Sequence, residues 1–280
     1  MQPGFWVSLV TIHRSRCCES WMMSTCSIVD LGLITYAEAC ELQKRVVAAR
    51  KAEAIEDVLL FCEHPHVITL GRSGKRANLL ASENVLRQKG VQYFETSRGG
   101  DITYHGPGQI VGYPILNLGA IKRDVVWYVR MLEEAMIRAT AELGIVAGRQ
   151  TGKTGIWVDA AKRDSSLTLG TTDVKSAADR PAEKLAAIGV HISRWVTSHG
   201  FAYNVATDLR YFQLIVPCGI AERKATSLEN LLGRRVGMEE VKPRLAKHLG
   251  GVFGLEMRGA GRQELLERLD RAEQALAVPA

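Results

Sequence analysis

The chain has 280 residues, 46% of them apolar and 24% charged. This is enough for one substantial α/β domain or two small ones, and far from the composition of a disordered chain. A formal charge of +6 favours acidic partners, but the basic residues are scattered as pairs such as Arg50-Lys51 and Arg234-Arg235, unlike the basic arm or face of a nucleic-acid binder. The longest apolar runs are strand-sized, well short of the roughly 20 residues that cross a membrane.

Residues 1–28 lack the basic-then-apolar order of a secretory leader, and Met22 and Met23 leave open a second reading, that translation starts there. This stretch is expected to be a flexible extension or a misplaced start, outside the core. Over residues 36–54, Leu42, Val46 and Ala49 recur at helical spacing. Residues 58–62 and 67–70 read as strands separated by Pro65 and closed by Gly71; 91–96 is a further strand before the Arg98-Gly99-Gly100 break. Residues 110–118 are strand-like despite Pro114, which suggests an edge or bulged position. Asp124 can cap the clearest helix, 124–143, with Val125, Val129, Leu132, Met136, Ala139 and Leu143 as its apolar stripe.

Residues 147–154, AGRQTGKT, end like a phosphate-binding loop but carry Ala147 in place of the first glycine. The strand-like Ile156-Trp157-Val158 follows where a helix N-terminus is required, so an ordinary loop is the better reading. Residues 159–181 read as an exposed insertion, 185–192, 195–205 and 212–216 as strands, and 239–249 and 263–276 as closing helices. With no internal repeat and no long linker, one α+β domain over 29–280 is expected, a mixed β-sheet flanked by helices. The six cysteines show no CxxC spacing, so free thiols in a reducing cytoplasm are the simpler expectation.

Chemistry-bearing residues gather in four places. Within RGGDITYHGPGQ at 98–109, glycines permit close ligand approach while Arg98, Tyr104, His105 and Gln109 offer polar contacts. Cys218, between Pro217 and Gly219 at the end of an apolar run, is either a cleft-facing nucleophile or an inert buried thiol. Lys184 at the start of a strand either favours a thiolate and exchanges protons or is simply solvated. His199, Gly200 and Asn204 flank another turn and strand, where they orient a substrate or satisfy local hydrogen bonds.

Taken together, GRSGKRANLL at 71–80, RGGDITYHGPGQ at 98–109, KLAAIGVHI at 184–192, HGFAYNV at 199–205 and PCG at 217–219 resemble the lipoyl(octanoyl) transferase family, in the family's order. LGLITYAEA at 31–39 also fits, and the resemblance spans roughly residues 29–232. It implies a fold like the biotin- and lipoate-protein ligase catalytic domains, with octanoyl passing from acyl carrier protein to a lysine of an apo lipoyl domain. Cys218 is then the thioester-forming nucleophile and Lys184 assists both transfers. The implied substrate site comprises Arg72, Arg98, Gly99, Gly100, Asp101, Ile102, Thr103, Tyr104, His105, Gly106 and Gln109. Ala187, Ile188 and Gly189 join it from the lysine strand, and His199, Gly200, Ala202 and Asn204 from the next. No metal or cofactor is implied. The expected partners are octanoyl-acyl carrier protein and the apo lipoyl domains of 2-oxoacid dehydrogenase E2 subunits and glycine cleavage H protein, met by a cytoplasmic monomer.

This sequence departs from the family at Tyr203, usually leucine, at His191, often arginine, and in the longer 159–181 stretch. The chemistry is coherent without ATP, because a thioester donor is already activated. At about 0.8 kcal/mol per methylene, burying six would contribute roughly 5 kcal/mol toward an eight-carbon chain. The competing readings are an ATP-dependent lipoate or octanoate ligase, which would not need Cys218, and a non-enzymatic acyl-protein-binding module.

Overall fold

The computed structural model describes residues 24–159, 182–216 and 224–277. Its first strand, β1 (Ser24–Leu33), leads into α1 (Tyr36–Lys51) through a capping box. The Thr35 hydroxyl accepts from the Glu38 N–H at 3.3 Å and the Glu38 carboxylate from the Thr35 N–H at 3.2 Å. β2 (Asp57–Glu63), β3 (Val67–Leu70), α2 (Glu83–Gln88), β4 (Gln92–Glu95), β5 (Ile102–His105) and β6 (Gln109–Ile115) follow. The short α3 (Leu118–Ile121) precedes α4 (Val125–Ala141), whose Asp124 cap accepts from the Trp127 N–H at 2.9 Å. Four strands come next in sequence: β7 (Ala147–Gln150), β8 (Lys153–Val158), β9 (Glu183–Ser193) and β10 (Val196–Asn204). A 3₁₀ turn at Leu209–Leu214, α5 (Leu228–Leu232), α6 (Met238–Phe253), β11 (Leu255–Gly259) and α7 (Arg262–Ala277) complete the described chain.

The strands form an eight-stranded mixed sheet in the order β11-β1-β2-β6-β10-β9-β8-β7 and a three-stranded sheet in the order β4-β3-β5. Strand alternation divides the large sheet into two faces. Leu59 and Phe61 of β2 pack under α4 and α6, with Leu132, Met136, Leu245 and Leu249. Val58 and Leu60 pack under α1 and α7, with Leu42, Val46, Leu265 and Leu269. A third cluster, including Ile68, Leu86, Ile102, Tyr104 and Ile215, lies beneath the small sheet. Among the described residues, no helix is long and apolar enough to cross a membrane.

Several sequence expectations change in the structure. The boundary at residue 28 falls inside β1: Ser24–Ile28 pair with β11, and Cys26 and Val29 are buried. Residues 1–23 and 160–181 lie outside the described residues, so the expected extension and most of the expected insertion are not tested. Helix α1 stops at Lys51, short of residue 54. Pro114 is not on an edge strand, since β6 is paired on both sides, by β2 and β10. No bulge is inserted either: the β10 ladder is interrupted after Phe201↔Gly112 and resumes at Asn117↔Val196 in the same register, while His199 between them takes a φ of 55°. Past that point the Thr197 hydroxyl donates to the Pro114 carbonyl at 2.7 Å and accepts from the Leu116 N–H at 2.8 Å.

The AGRQTGKT motif is the β7–β8 hairpin, turning at Gly152 with φ 71°, and no helix follows it. Residues 212–216 do not form a strand; the 3₁₀ turn runs to Leu214, and Ile215 makes one isolated bridge to Leu79.

Candidate active site

A cavity of about 660 Å³ lies between β9, β10, the 98–103 segment and the first turns of α4. Its size is that of a small-molecule site. Of the residues expected from the sequence, Arg98, Gly99, Gly100, Asp101, Ile102 and Thr103 form one wall, and His105 and Gln109 reach it from either side of the β5–β6 turn. Lys184, Ala187, Ile188 and Gly189 line it from β9; His199, Gly200, Ala202 and Asn204 line it from β10. Arg72, Tyr104 and Gly106 are not among the lining residues. Arg72 is exposed and pairs through its backbone with the Arg98 carbonyl at 3.0 Å. Tyr104 is buried in the third cluster, its hydroxyl 2.7 Å from His66 Nδ1, and a Cβ on Gly106 would collide with that tyrosine. Cys218 lies outside the described residues.

Backbone contact between bare glycines builds the wall. The Gly99 N–H donates to the Val190 carbonyl at 2.9 Å, and a Cβ on Gly189 would stand 2.8 Å from the Gly99 carbonyl oxygen. Arg98 lines the cavity, and its guanidinium is tied to β3, donating to the Thr69 carbonyl at 2.6 Å and to its hydroxyl at 2.9 and 3.1 Å.

From Thr69 a directional chain of hydrogen bonds crosses the floor. The Thr69 hydroxyl makes a long 3.5 Å contact to His105 Nε2, and His105 Nδ1 donates to Gln109 Oε1 at 2.8 Å. Gln109 Nε2 donates to Asn204 Oδ1 at 2.9 Å, and Asn204 Nδ2 donates to the Thr226 carbonyl at 2.9 Å. The Gln109 Oε1 acceptor requires a proton on His105 Nδ1. Burial pushes the His105 pKa down to about 3, and the neighbouring His64 and Arg98 charges act the same way. Burial, with Arg98 and His191 nearby, likewise lowers His199 to about 4; its ring meets Ser97 Oγ at 3.1 Å.

The residues bordering the Cys218 segment are fixed by the same motifs. On the leading side, Val216 donates its N–H to the Asn78 carbonyl at 2.7 Å, while Asn78 Nδ2 donates to Asp101 at 2.6 Å. On the trailing side, the Lys184 N–H donates to the Lys224 carbonyl at 2.9 Å and the Lys184 carbonyl accepts from the Thr226 N–H at 3.0 Å. Lys224 and Ala225 line the cavity beside Lys184, whose Nζ lies 5.0 Å from the centre of the Trp157 ring.

Sequence reasoning passed over several lining residues. Tyr36, Tyr113 and Trp157 received no functional reading, and Val125 and Val129 read as part of the apolar stripe of the 124–143 helix, yet all five line the cavity. Glu133 also escaped notice, although a carboxylate beside Leu132 and Met136 on the apolar face of α4 was a legible signal.

Residues 35–250 match the family model of the Lipoyl protein ligase A/B catalytic domain. The fold resembles a bipartite lipoate protein ligase from Thermoplasma acidophilum, with a TM-score of 0.66 at 15% identity over 89% of this chain and 91% of that one. It also resembles a lipoate-protein ligase A bound with ATP, with a TM-score of 0.62 at 15% identity over 89% and 93% of the two chains. In sequence the chain is 49% identical to an octanoyltransferase of Solibacter usitatus over 84% of its own length and 96% of the relative's. It is 45% identical to the octanoyltransferase of Cytophaga hutchinsonii over 82% and 93%. The chain belongs to the octanoyltransferase family, and it is an acyltransferase.

Proposed function

We propose that the chain moves octanoyl from acyl carrier protein to Cys218 as a thioester, and from Cys218 to a lysine of an apo lipoyl domain, with Lys184 as the proton-transferring group. One observation carries this reading: the described residues on both sides of the Cys218 segment, Val216 and Lys224–Thr226, are hydrogen-bonded into the motifs around the cavity and to Lys184 itself. In the first transfer the Cys218 thiolate attacks the donor carbonyl, a new C–S bond forms as the bond to the carrier sulfur breaks, and the carrier leaves as a thiolate. In the second, the acceptor amine attacks the enzyme thioester, the amide bond forms, and the Cys218 sulfur departs. The acceptor lysine is ordinarily protonated, with a pKa of about 10.4, so it first gives one proton to solvent; the second, lost as the amide forms, passes to neutral Lys184 directly or through water and on to the departing Cys218 thiolate.

The acyl chain in this reading runs along Ala187–Gly189 with Val125 and Val129 opposite. The acceptors are the lipoyl domains of 2-oxoacid dehydrogenase E2 subunits and glycine cleavage H protein, and the enzyme works as a cytoplasmic monomer without metal or cofactor. The deciding experiment follows apo lipoyl domain by intact mass with octanoyl-acyl carrier protein or free octanoate, each with and without ATP. Modification from the carrier thioester alone is expected; ATP-dependent use of free octanoate would overturn the reading in favour of a ligase.

A further inference from the structure

We infer that Glu133 is a positioning residue for Lys184, acting through Gly155; this rests on the role given to Lys184 above. Glu133 projects from α4 and is 0% exposed. One carboxylate oxygen accepts from Arg130 Nη1 at 2.7 Å and Arg149 Nε at 3.1 Å; the other accepts the backbone N–H of Gly155 at 3.0 Å. Burying a carboxylate with two cations is poor value for stability alone, because apolar side chains of similar volume often serve as well. What the carboxylate does here is hold one backbone N–H of β8.

That N–H belongs to an unusual residue. Gly155 has a φ of 111°, a conformation that L side chains rarely adopt. The β8–β9 register shifts just beyond it, from Ile156↔Ala186 to Trp157↔Lys184, so Leu185 is passed over. A Cβ on Gly155 would lie 2.8 Å from Lys184 Cε and would collide with the Ala186 carbonyl. The Lys184 stem therefore passes over the bare Cα of Gly155, and its ammonium ends against the Trp157 ring. Glu133 fixes the strand segment, the missing side chain leaves the trough, and the indole sets where the amine stops. Nothing in this arrangement requires Glu133 to touch substrate.

The test is a double-mutant cycle on the full chain, measuring octanoyl transfer from octanoyl-acyl carrier protein to apo lipoyl domain at varied acceptor concentration. Glu133→Gln is expected to lower kcat about tenfold with acceptor KM unchanged, the size of effect that a small misplacement of a reacting group produces. In the Lys184→Ala background the same substitution should change nothing further, because the group it positions is gone. Gly155→Ala should behave alike, and it carries the test if Glu133→Gln proves unfolded in a thermal melt. An equal loss in both backgrounds, or a wild-type rate for the single variants, would overturn the positioning role. A Lys184→Ala enzyme as fast as wild type would instead remove the role of Lys184 itself and, with it, any need to position it.

Discussion

Asn204 donates its side-chain N–H to the Thr226 carbonyl at 2.9 Å, and Thr226 donates its own N–H to the Lys184 carbonyl at 3.0 Å. The end of β10, the chain after the Cys218 segment and the start of β9 are thereby one hydrogen-bonded unit at the cavity.

Asn204→Asp tests that unit. It keeps the acceptor facing Gln109 but turns a donor toward Thr226 into a second acceptor, so two oxygens oppose each other in a buried site. We expect a stability loss of about 1–3 kcal/mol and a larger proportional loss of transfer activity. Denaturant melts and transfer rates check both; unchanged activity in the folded variant would show that the Thr226 tie is dispensable.

The order of the chemistry is tested at Cys218 and Lys184. After incubation with octanoyl-carrier protein and an acid quench, the wild-type chain should gain one hydroxylamine-labile octanoyl group, mapped to Cys218. Cys218→Ser should form no such thioester, and Lys184→Ala should form or discharge it slowly. Full acceptor modification by a folded Cys218→Ser enzyme would sink the covalent route.

The two histidines with lowered pKa values predict how stability depends on pH. An unfolded histidine titrates near about 6.5, whereas His105 and His199 hold their neutral forms down to about 3 and about 4. Between these values the unfolded chain binds more protons than the native one, so stability is complete above about pH 6.5 and falls as the pH drops toward 4. The thermal midpoint of His199→Gln should fall less steeply than that of wild type between pH 7 and pH 4.5 (roughly this window follows from the linkage). Parallel curves would contradict the buried, neutral state of His199.

Gly200 lines the cavity, but packing alone explains the glycine. A Cβ there would collide with the Gly112 carbonyl and approach Pro114 Cδ to 2.7 Å, just past the last β10–β6 ladder pair. Gly200→Ala should cost about 1–3 kcal/mol in denaturant melts through overpacking. A variant of wild-type stability would show that β10 shifts freely at this point.

Removal of residues 1–28 should be damaging, since it strips five residues from β1 and every β1–β11 pair. A chain beginning at Met23 keeps those pairs and should retain the described fold and its activity. Equal thermal midpoints for the two truncations would mean that the β1–β11 pairing contributes little.

Local pattern made much of the fold legible. The stripe of α4 and its Asp124 cap, the apolar strands around residues 58–62 and 67–70, and the closing helices all follow from periodicity and caps that act within a few residues. β1 and β11 escaped because each is partly polar and acquires strand character from parallel pairing with a strand distant in sequence. Residues 212–216 read as a strand because an apolar run resembles one; the structure instead ends the 3₁₀ turn at Leu214 and leaves Ile215 a single bridge, packed with the small-sheet cluster.

The site divides in the same way. By itself the sequence determined the family and the set of motifs, because those residue types occur together in a fixed order. Which motif residues face the cavity was decided by the tertiary structure. Tyr104 and His105 are neighbours on β5, yet strand alternation sends one into the core beneath the small sheet and the other to the cavity. The link from Glu133 through Gly155 to Lys184 was likewise invisible along the chain. Its three members sit on separate elements and meet only because α4 packs over β8 and β8 pairs with β9, and a contact between distant segments leaves no periodic trace in either one.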